Sequence, residues 1–196
     1  TDVDDPLLER AKRDGVDWKD LAHQQIDLFR SDMTHLRVIP PAHYIGAVDA
    51  ISLVTGAIEE LRSKGSIYSV DQDLYFKVHA DSEFGERSHL SDDEMLQIFS
   101  ERGGDPKRAG KFHPLDCLVW MSQRPNEPGW PSPFGIGRPG WHIECTAIAI
   151  KYLDPSHVDE TLIDIQGGGS DLIFPHHEMC AAQAQVLSGK PLSATY

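Results

Sequence analysis

The sequence predicts an α/β fold, a doubly wound parallel sheet interrupted by a small α+β insertion. Three observations predict it. Two amphipathic helical stripes lie in the first third. Short β-forming runs and a Pro/Gly-rich stretch follow. The last third then reads helix, strand, glycine loop, helix, the order from which doubly wound sheets are built, with ligands bound beyond the carboxyl ends of the strands. At 196 residues the chain can bury a substantial core, as one domain or two small ones.

Each element has a local cause. Asp17 can cap a helix whose apolar stripe is Trp18, Leu21, Ala22, Ile26, Phe29, Met33 and Leu36. "RVIPP" ends it, because proline cannot continue a helix. A second stripe follows at Val48, Ile51, Val54, Ile58 and Leu61, with Gly65 as its stop. "SIYSV" and "LYFKV" flank "DQD" and predict a hairpin. Ser91 and Glu94 have capping-box spacing at the head of a short helix that Gly103 and Gly104 close. From Asp105 to Gly140 the density of Pro, Gly and Trp predicts loop and turn. "WHIECTAIAIKYL" reads as a buried helix and "TLIDIQ" as a strand running into Gly167, Gly168 and Gly169. "PHHEMCAAQAQVL" reads as a helix with Pro175 in its first turn. This divides the chain into residues 1–65 and 131–196, two parts of one doubly wound unit, around an inserted subdomain at 66–130. The opening "TDVDDPLLER" has no Met and starts mid-pattern, which predicts a piece of a longer protein.

Composition narrows the function. The formal net charge of -13 argues against a broad nucleic-acid surface, which needs cations to replace the counterions of phosphates. It leaves room for a nucleotide in a small pocket, and a merely acidic surface explains it too. No apolar run approaches the ~20 residues that span a bilayer. An odd count of three cysteines points away from a disulfide framework and toward a reducing, cytoplasmic compartment.

The chemistry concentrates in "GGGSDLIFPHHEMC". His176 and Cys180 are four residues apart, as are Trp141 and Cys145, so each pair shares a helix face. Cysteine and histidine at such spacing are zinc-ligand types. A capped helix with a buried thiol explains the spacing equally well. The glycine run is neither G-x-G-x-x-G nor a P-loop. A tight strand-to-helix turn needs one or two glycines. Three, followed by Ser170 and Asp171, point to a polar ligand close to the main chain, with Asp171 as acceptor or as helix cap.

"GRPGWHIEC" followed by "DIQGGGSDLIFPHHE" resembles the cysteine-activating branch of the class I aminoacyl-tRNA synthetases. "TDVDDP" is similar to that family's segment after its second Rossmann strand, so the likeness covers essentially the whole chain. Two groups share these blocks: the cysteinyl-tRNA synthetases and the cysteine ligases of mycothiol biosynthesis. The segment Glu101, Arg102, Gly103, Gly104, Asp105 and Pro106 resembles the signature of the ligases, as do "RDGVDW" and "PLDCLVW". The resemblance implies a class I synthetase-type Rossmann fold, here without its first strand and C-terminal region. It implies ATP-dependent joining of L-cysteine to the amine of glucosaminyl-inositol through a cysteinyl-adenylate, with tRNA aminoacylation as the alternative. A structural zinc module without catalysis is a third reading.

By the same resemblance, one zinc per chain binds the thiolate of substrate cysteine. Cys145 and His176 are its ligands, with a further Cys upstream of Thr1. A soft metal separates sulfur from oxygen far better than an apolar pocket does. The synthetases carry a Glu four residues after the ligand His, where this sequence has Cys180. Four protein ligands would close the site to substrate, so Cys180 is expected as a packed or ligand-orienting thiol. Trp141 is expected to wall the cysteinyl pocket, Thr1 to lie near the adenylate, and Gly169, Ser170 and Asp171 to contact it. His142, His177 and Glu178 are expected to orient ligands or to serve as solvated or capping groups, and Cys117 to pack in the core. Catalysis rests on positioning and on cationic groups of the "HIGH" and "KMSKS" motifs, which this stretch lacks. No residue is therefore assigned as catalytic, and these 196 residues alone are expected to be inactive. Expected partners are cysteine, ATP and the amino sugar, with no nucleic acid, no membrane and a monomeric state.

Overall fold

The computed structural model describes residues 2–153 and 160–196, which form two compact units, 1–50 and 51–196. In the first unit, α1 (Asp5–Asp14) starts where the Asp4 carboxylate accepts the Leu7 N–H at 2.9 Å and ends on left-handed Gly15. No stripe in the sequence pattern had announced this helix. α2 (Trp18–His35) is capped by Asp17, which accepts from the amides of Lys19 and Asp20. Only the first part of its apolar stripe is covered: Leu21 and Ala22 are buried, whereas Phe29 and Leu36 are 50% and 69% exposed. At 1.5 Å per residue, α1 is too short to shield a helix of 18 residues along its length.

The second unit opens with α3 (Ile51–Ser63), whose Ile51, Val54, Ile58 and Leu61 are buried as the stripe predicted. β1 (Ile67–Val70) and β2 (Asp73–Phe76) form the expected hairpin, with Asp71 at φ 53° in its turn. α4 (Asp92–Glu101) carries the full capping box between Ser91 and Glu94. The stretch expected as loop then departs from expectation. β3 (Cys117–Ser122) and β4 (Gly137–Pro139) extend the hairpin into a four-stranded antiparallel sheet in the order β1-β2-β3-β4. Glycine there marks close packing as well as turns. A Cβ on Gly137 would come within 2.2 Å of the Met121 carbonyl, and one on Gly140 within 2.1 Å of that of Leu118.

α5 (Trp141–Leu153) and α6 (Glu178–Ser188) pack on each other. β5 (Ile163–Ile165) pairs in parallel with β6 (Ser193–Thr195), and α6 is their crossover. Leu162, Cys180, Ala181, Ala184 and Leu192 form the core beneath this βαβ unit. The fold is thus α/β, and a doubly wound parallel sheet does not appear among the described residues. Among the described residues the larger sheet is antiparallel, and parallel pairing is confined to β5 and β6. The β-forming runs before residue 140 follow one another through loops and α4 and pair antiparallel, which requires no crossover helix. Pro175 also differs from its expected place in the first turn of α6. It lies in an irregular turn, Ile173–His177, with Phe174 extended and a cis bond between the two. No helix among the described residues is long and apolar enough to cross a membrane.

Candidate functional site

The glycine loop leaves β5 and runs through a helical turn, Ser170–Leu172, into the turn that carries His176 and His177. Gly167 to Asp171 are exposed, so backbone and the Asp171 carboxylate are accessible to a ligand. The three glycines have different reasons. A Cβ on Gly168 would lie 2.9 Å from the His177 ring, so packing alone demands glycine there. Gly169 folds against the Asp171 carboxylate, where a Cβ would meet it at 2.3 Å, and Gly167 has open space. Packing explains the glycine at 168 alone, because the Asp171 carboxylate beside Gly169 is the tip of an exposed side chain that can move aside.

The two helices that follow the sheet strands bring a donor set together. α5 supplies Trp141 and His142, and the turn before α6 supplies His176. The Trp141 ring stacks on that of His176 at 4.3 Å and 21°, with one side still exposed. Nδ1 of His142 lies 3.0 Å from Nδ1 of His176, and Sγ of Cys180 lies 3.8 Å from Nε2 of His176. All three residues are buried, and their ligand atoms lie within 4.8 Å of one another. Ligand atoms around a tetrahedral zinc sit about 3.3–3.6 Å apart, given metal–nitrogen and metal–sulfur bonds of about 2.0 and 2.3 Å. The donor types fit zinc, whereas the 4.0 Å from Cys180 Sγ to His176 Nδ1, the nitrogen that faces His142, is wider than a closed tetrahedral set.

Burial sets the protonation of this cluster. It lowers His142 to about 3, with His176 adding to the effect, and lowers His176 to about 4, with His177 contributing. Both imidazoles are neutral at neutral pH, the form in which a ring nitrogen can ligate. Burial also pushes the Cys145 thiol up to about 11 and Cys180 well above its ordinary value, Cys145 adding to the latter. A bound cation would reverse this by stabilising thiolate.

The structure groups His176 with His142 and Cys180, whereas the sequence reading grouped it with Cys145. Cys145 is half-buried and packs with Ile150 and Ile163 against the core cluster that contains Cys180. His142 was legible only as a flanking residue. Its share in the cluster follows from how α5 and α6 face each other, which no spacing within one helix announces. Thr146 fixes that facing: its hydroxyl lies 2.9 Å from the His142 carbonyl and 3.1 Å from Gln183 Oε1. Gln183 in turn donates to the buried Cys117 thiol at 3.4 Å. Cys117 packs in the core, and all three cysteines are free.

Glu178 is neither solvated nor a cap. It is fully buried and accepts from the Gly85 and Ser88 amides at 2.9 and 2.8 Å and from Arg87 at 3.1 Å. The Glu101–Pro106 segment closes α4. Glu101 accepts from Gln97, Arg102 reaches the glycine-loop turn, and Gly103 is left-handed at φ 84°. Gly104 lies where a Cβ would strike the Phe99 ring, Asp105 binds Lys111 and the Tyr75 hydroxyl, and Pro106 follows in a turn. Thr1 lies outside the described residues.

The family model for the tRNA synthetases class I (C) catalytic domain matches residues 1–196. The chain belongs to this family. Within it, the chain is similar to enzymes named L-cysteine:1D-myo-inositol 2-amino-2-deoxy-alpha-D-glucopyranoside ligase. That of Thermomonospora curvata is 58% identical over 97% of this chain and 44% of the relative. That of Kribbella flavida is 59% identical over 100% of this chain and 47% of the relative, and that of Acidothermus cellulolyticus is 51% identical. The chain spans less than half the length of these class I relatives.

Proposed function

We propose that the protein ligates L-cysteine to the amine of glucosaminyl-inositol in mycothiol biosynthesis, with ATP as the activating substrate. The observation that carries this reading is the 58–59% identity, across nearly the whole chain, to ligases named for that reaction. In the first step the cysteine carboxylate attacks the α-phosphate of ATP, forming cysteinyl-adenylate as pyrophosphate leaves. In the second the sugar amine attacks the activated carbonyl, loses its proton and expels AMP. Neither step needs a side-chain nucleophile, so the chain's part is binding and orientation.

Asp171 would accept from the ammonium of cysteine, and the Gly169–Ser170 backbone would lie along the adenylate, a reading that the exposure of this loop supports. Trp141 walls the pocket with a ring that His176 holds in place. We assign Cys145 and His176 as zinc ligands, with His142 and Cys180 as neighbours that fix the His176 ring. The metal would supply a soft acid that takes sulfur in preference to oxygen. The Cys145 assignment rests on the family resemblance, whereas the donor groups gathered on His176 among the described residues are His142 and Cys180. The division into 1–65, 66–130 and 131–196, the doubly wound catalytic domain, a monomeric state and a cytoplasmic location belong to the same proposal.

The test is cysteine-dependent AMP release by the full-length protein, measured with glucosaminyl-inositol and then with tRNA. Release with the amino sugar and none with tRNA is the expected outcome. Release with tRNA only would overturn the acceptor assignment, and absence of cysteine-dependent pyrophosphate exchange would overturn the whole reading.

A further inference from the structure

The mechanism above leaves Arg102 without a role, and its position at the end of α4 does not require so long a cationic side chain. Its backbone is held firmly. The Arg102 amide donates to the Ile98 carbonyl at 3.0 Å, the Gly104 amide to Phe99 at 2.8 Å, and left-handed Gly103 turns the chain away between them. Three residues on, Asp105 is tied to the antiparallel sheet through the Tyr75 hydroxyl and to the loop before β3 through Lys111 at 2.9 Å. The arginine therefore projects from a fixed base.

Its guanidinium crosses to the glycine loop. One nitrogen, Nη1, donates to the carbonyls of both Asp171 and Phe174. These carbonyls bracket the turn between the loop that bears Ser170 and Asp171 and the turn that bears His176. Phe174 there is extended, at φ -134° and ψ 137°, so its carbonyl has left the helical hydrogen-bond ladder and takes an external donor. A charged donor shared by two carbonyls is stronger than a neutral one and holds both in one geometry.

We infer that Arg102 is a positioning residue that staples the Asp171–Phe174 turn, so that the end of α4 sets the geometry of the cysteine-binding loop. This rests on the ligase reading for its kinetic consequence but not for its structural one. Without the staple the loop opens locally, Asp171 and His176 lose their relative placement, and substrate cysteine binds less well.

The experiment uses the full-length protein and the variants Arg102→Ala and Arg102→Lys. Hydrogen exchange is expected to quicken in Arg102→Ala over residues 169–177 alone and to slow again in Arg102→Lys, whose ammonium can also donate to two carbonyls. In cysteine-dependent pyrophosphate exchange, the KM for cysteine is expected to rise roughly tenfold or more in Arg102→Ala, as misplacement of binding groups on this scale does, with partial recovery in Arg102→Lys. Unchanged hydrogen exchange over 169–177, or a KM within about twofold of wild type, overturns the inference. So does exchange accelerated through β1–β4 and α5 as well, which would make Arg102 a general support of the fold. If the wild-type protein shows no cysteine-dependent exchange of pyrophosphate, the ligase reading falls, and hydrogen exchange still decides the staple.

Discussion

At the scale of single residues, the two cysteines near His176 separate by substitution. Cys145→Ser in the full-length protein is expected to lower bound zinc severalfold, since an uncharged hydroxyl is a poor zinc ligand beside a thiolate. Cys180→Ser is expected to cost much less, because its sulfur lies against the His142 carbonyl at 3.4 Å as well as against His176. Zinc measured by elemental analysis decides it, and an equal loss in both variants would move Cys180 into the ligand set. Asp73 gives a residue-level pH dependence. Burial raises its pKa, but hydrogen bonds from Arg124 and Arg108 and from the Ser122 amide outweigh that and hold it below the ordinary value. Its stabilising contribution is full above the unfolded value of about 3.9 and is lost as pH falls through the lower folded value. The wild-type melting temperature should therefore converge on that of Asp73→Asn only below about pH 4. A gap between the two that did not narrow on acidification would count against this role.

At the scale of elements, α6 does two things at its first turn. It presents His176 and His177 from the preceding turn, and through Glu178 it latches the segment from Asp81 to Ser88. Arg87 bridges Glu178 and Asp81 at 3.1 and 3.0 Å, both acids being buried. Removing one partner of a buried ionic network typically costs about 3 kcal/mol. Glu178→Gln is therefore expected to lower the melting temperature by several degrees, with hydrogen exchange quickened first at 81–88. A melting curve unchanged from wild type would show that the latch contributes nothing. The elements also show where local sequence is informative. Asp17, Ser91 with Glu94, and Gly65 end helices where expected, because caps act within a turn of chain. β3 and β4 were hidden, because Gly137 and Gly140 serve sheet packing and read like turn residues.

At the scale of the whole molecule, the net charge of -13 is a statement about partners. A surface so acidic should repel polyanions, and the 196-residue chain is expected to bind tRNA undetectably at about 0.15 M salt, where charges are screened beyond about 8 Å. Fluorescence anisotropy with labelled tRNA tests this, and micromolar binding would contradict it. The exposed half of the α2 stripe, with Phe29 and Leu36 open to solvent, belongs to this scale too. Its apolar periodicity sets a helix but does not say what covers it.

The sequence by itself determined the helices other than α1, the caps of α2 and α4, the first hairpin, and the concentration of glycine, histidine and cysteine between Gly167 and Cys180. These depend on contacts within three or four residues, which a linear pattern records. The tertiary structure alone decided that His142 meets His176 across 34 residues, that Arg102 reaches the glycine-loop turn across 69, and that the larger sheet is antiparallel. Those outcomes depend on the rotation of α5 against α6 and on strand register, which arise only when distant segments pack.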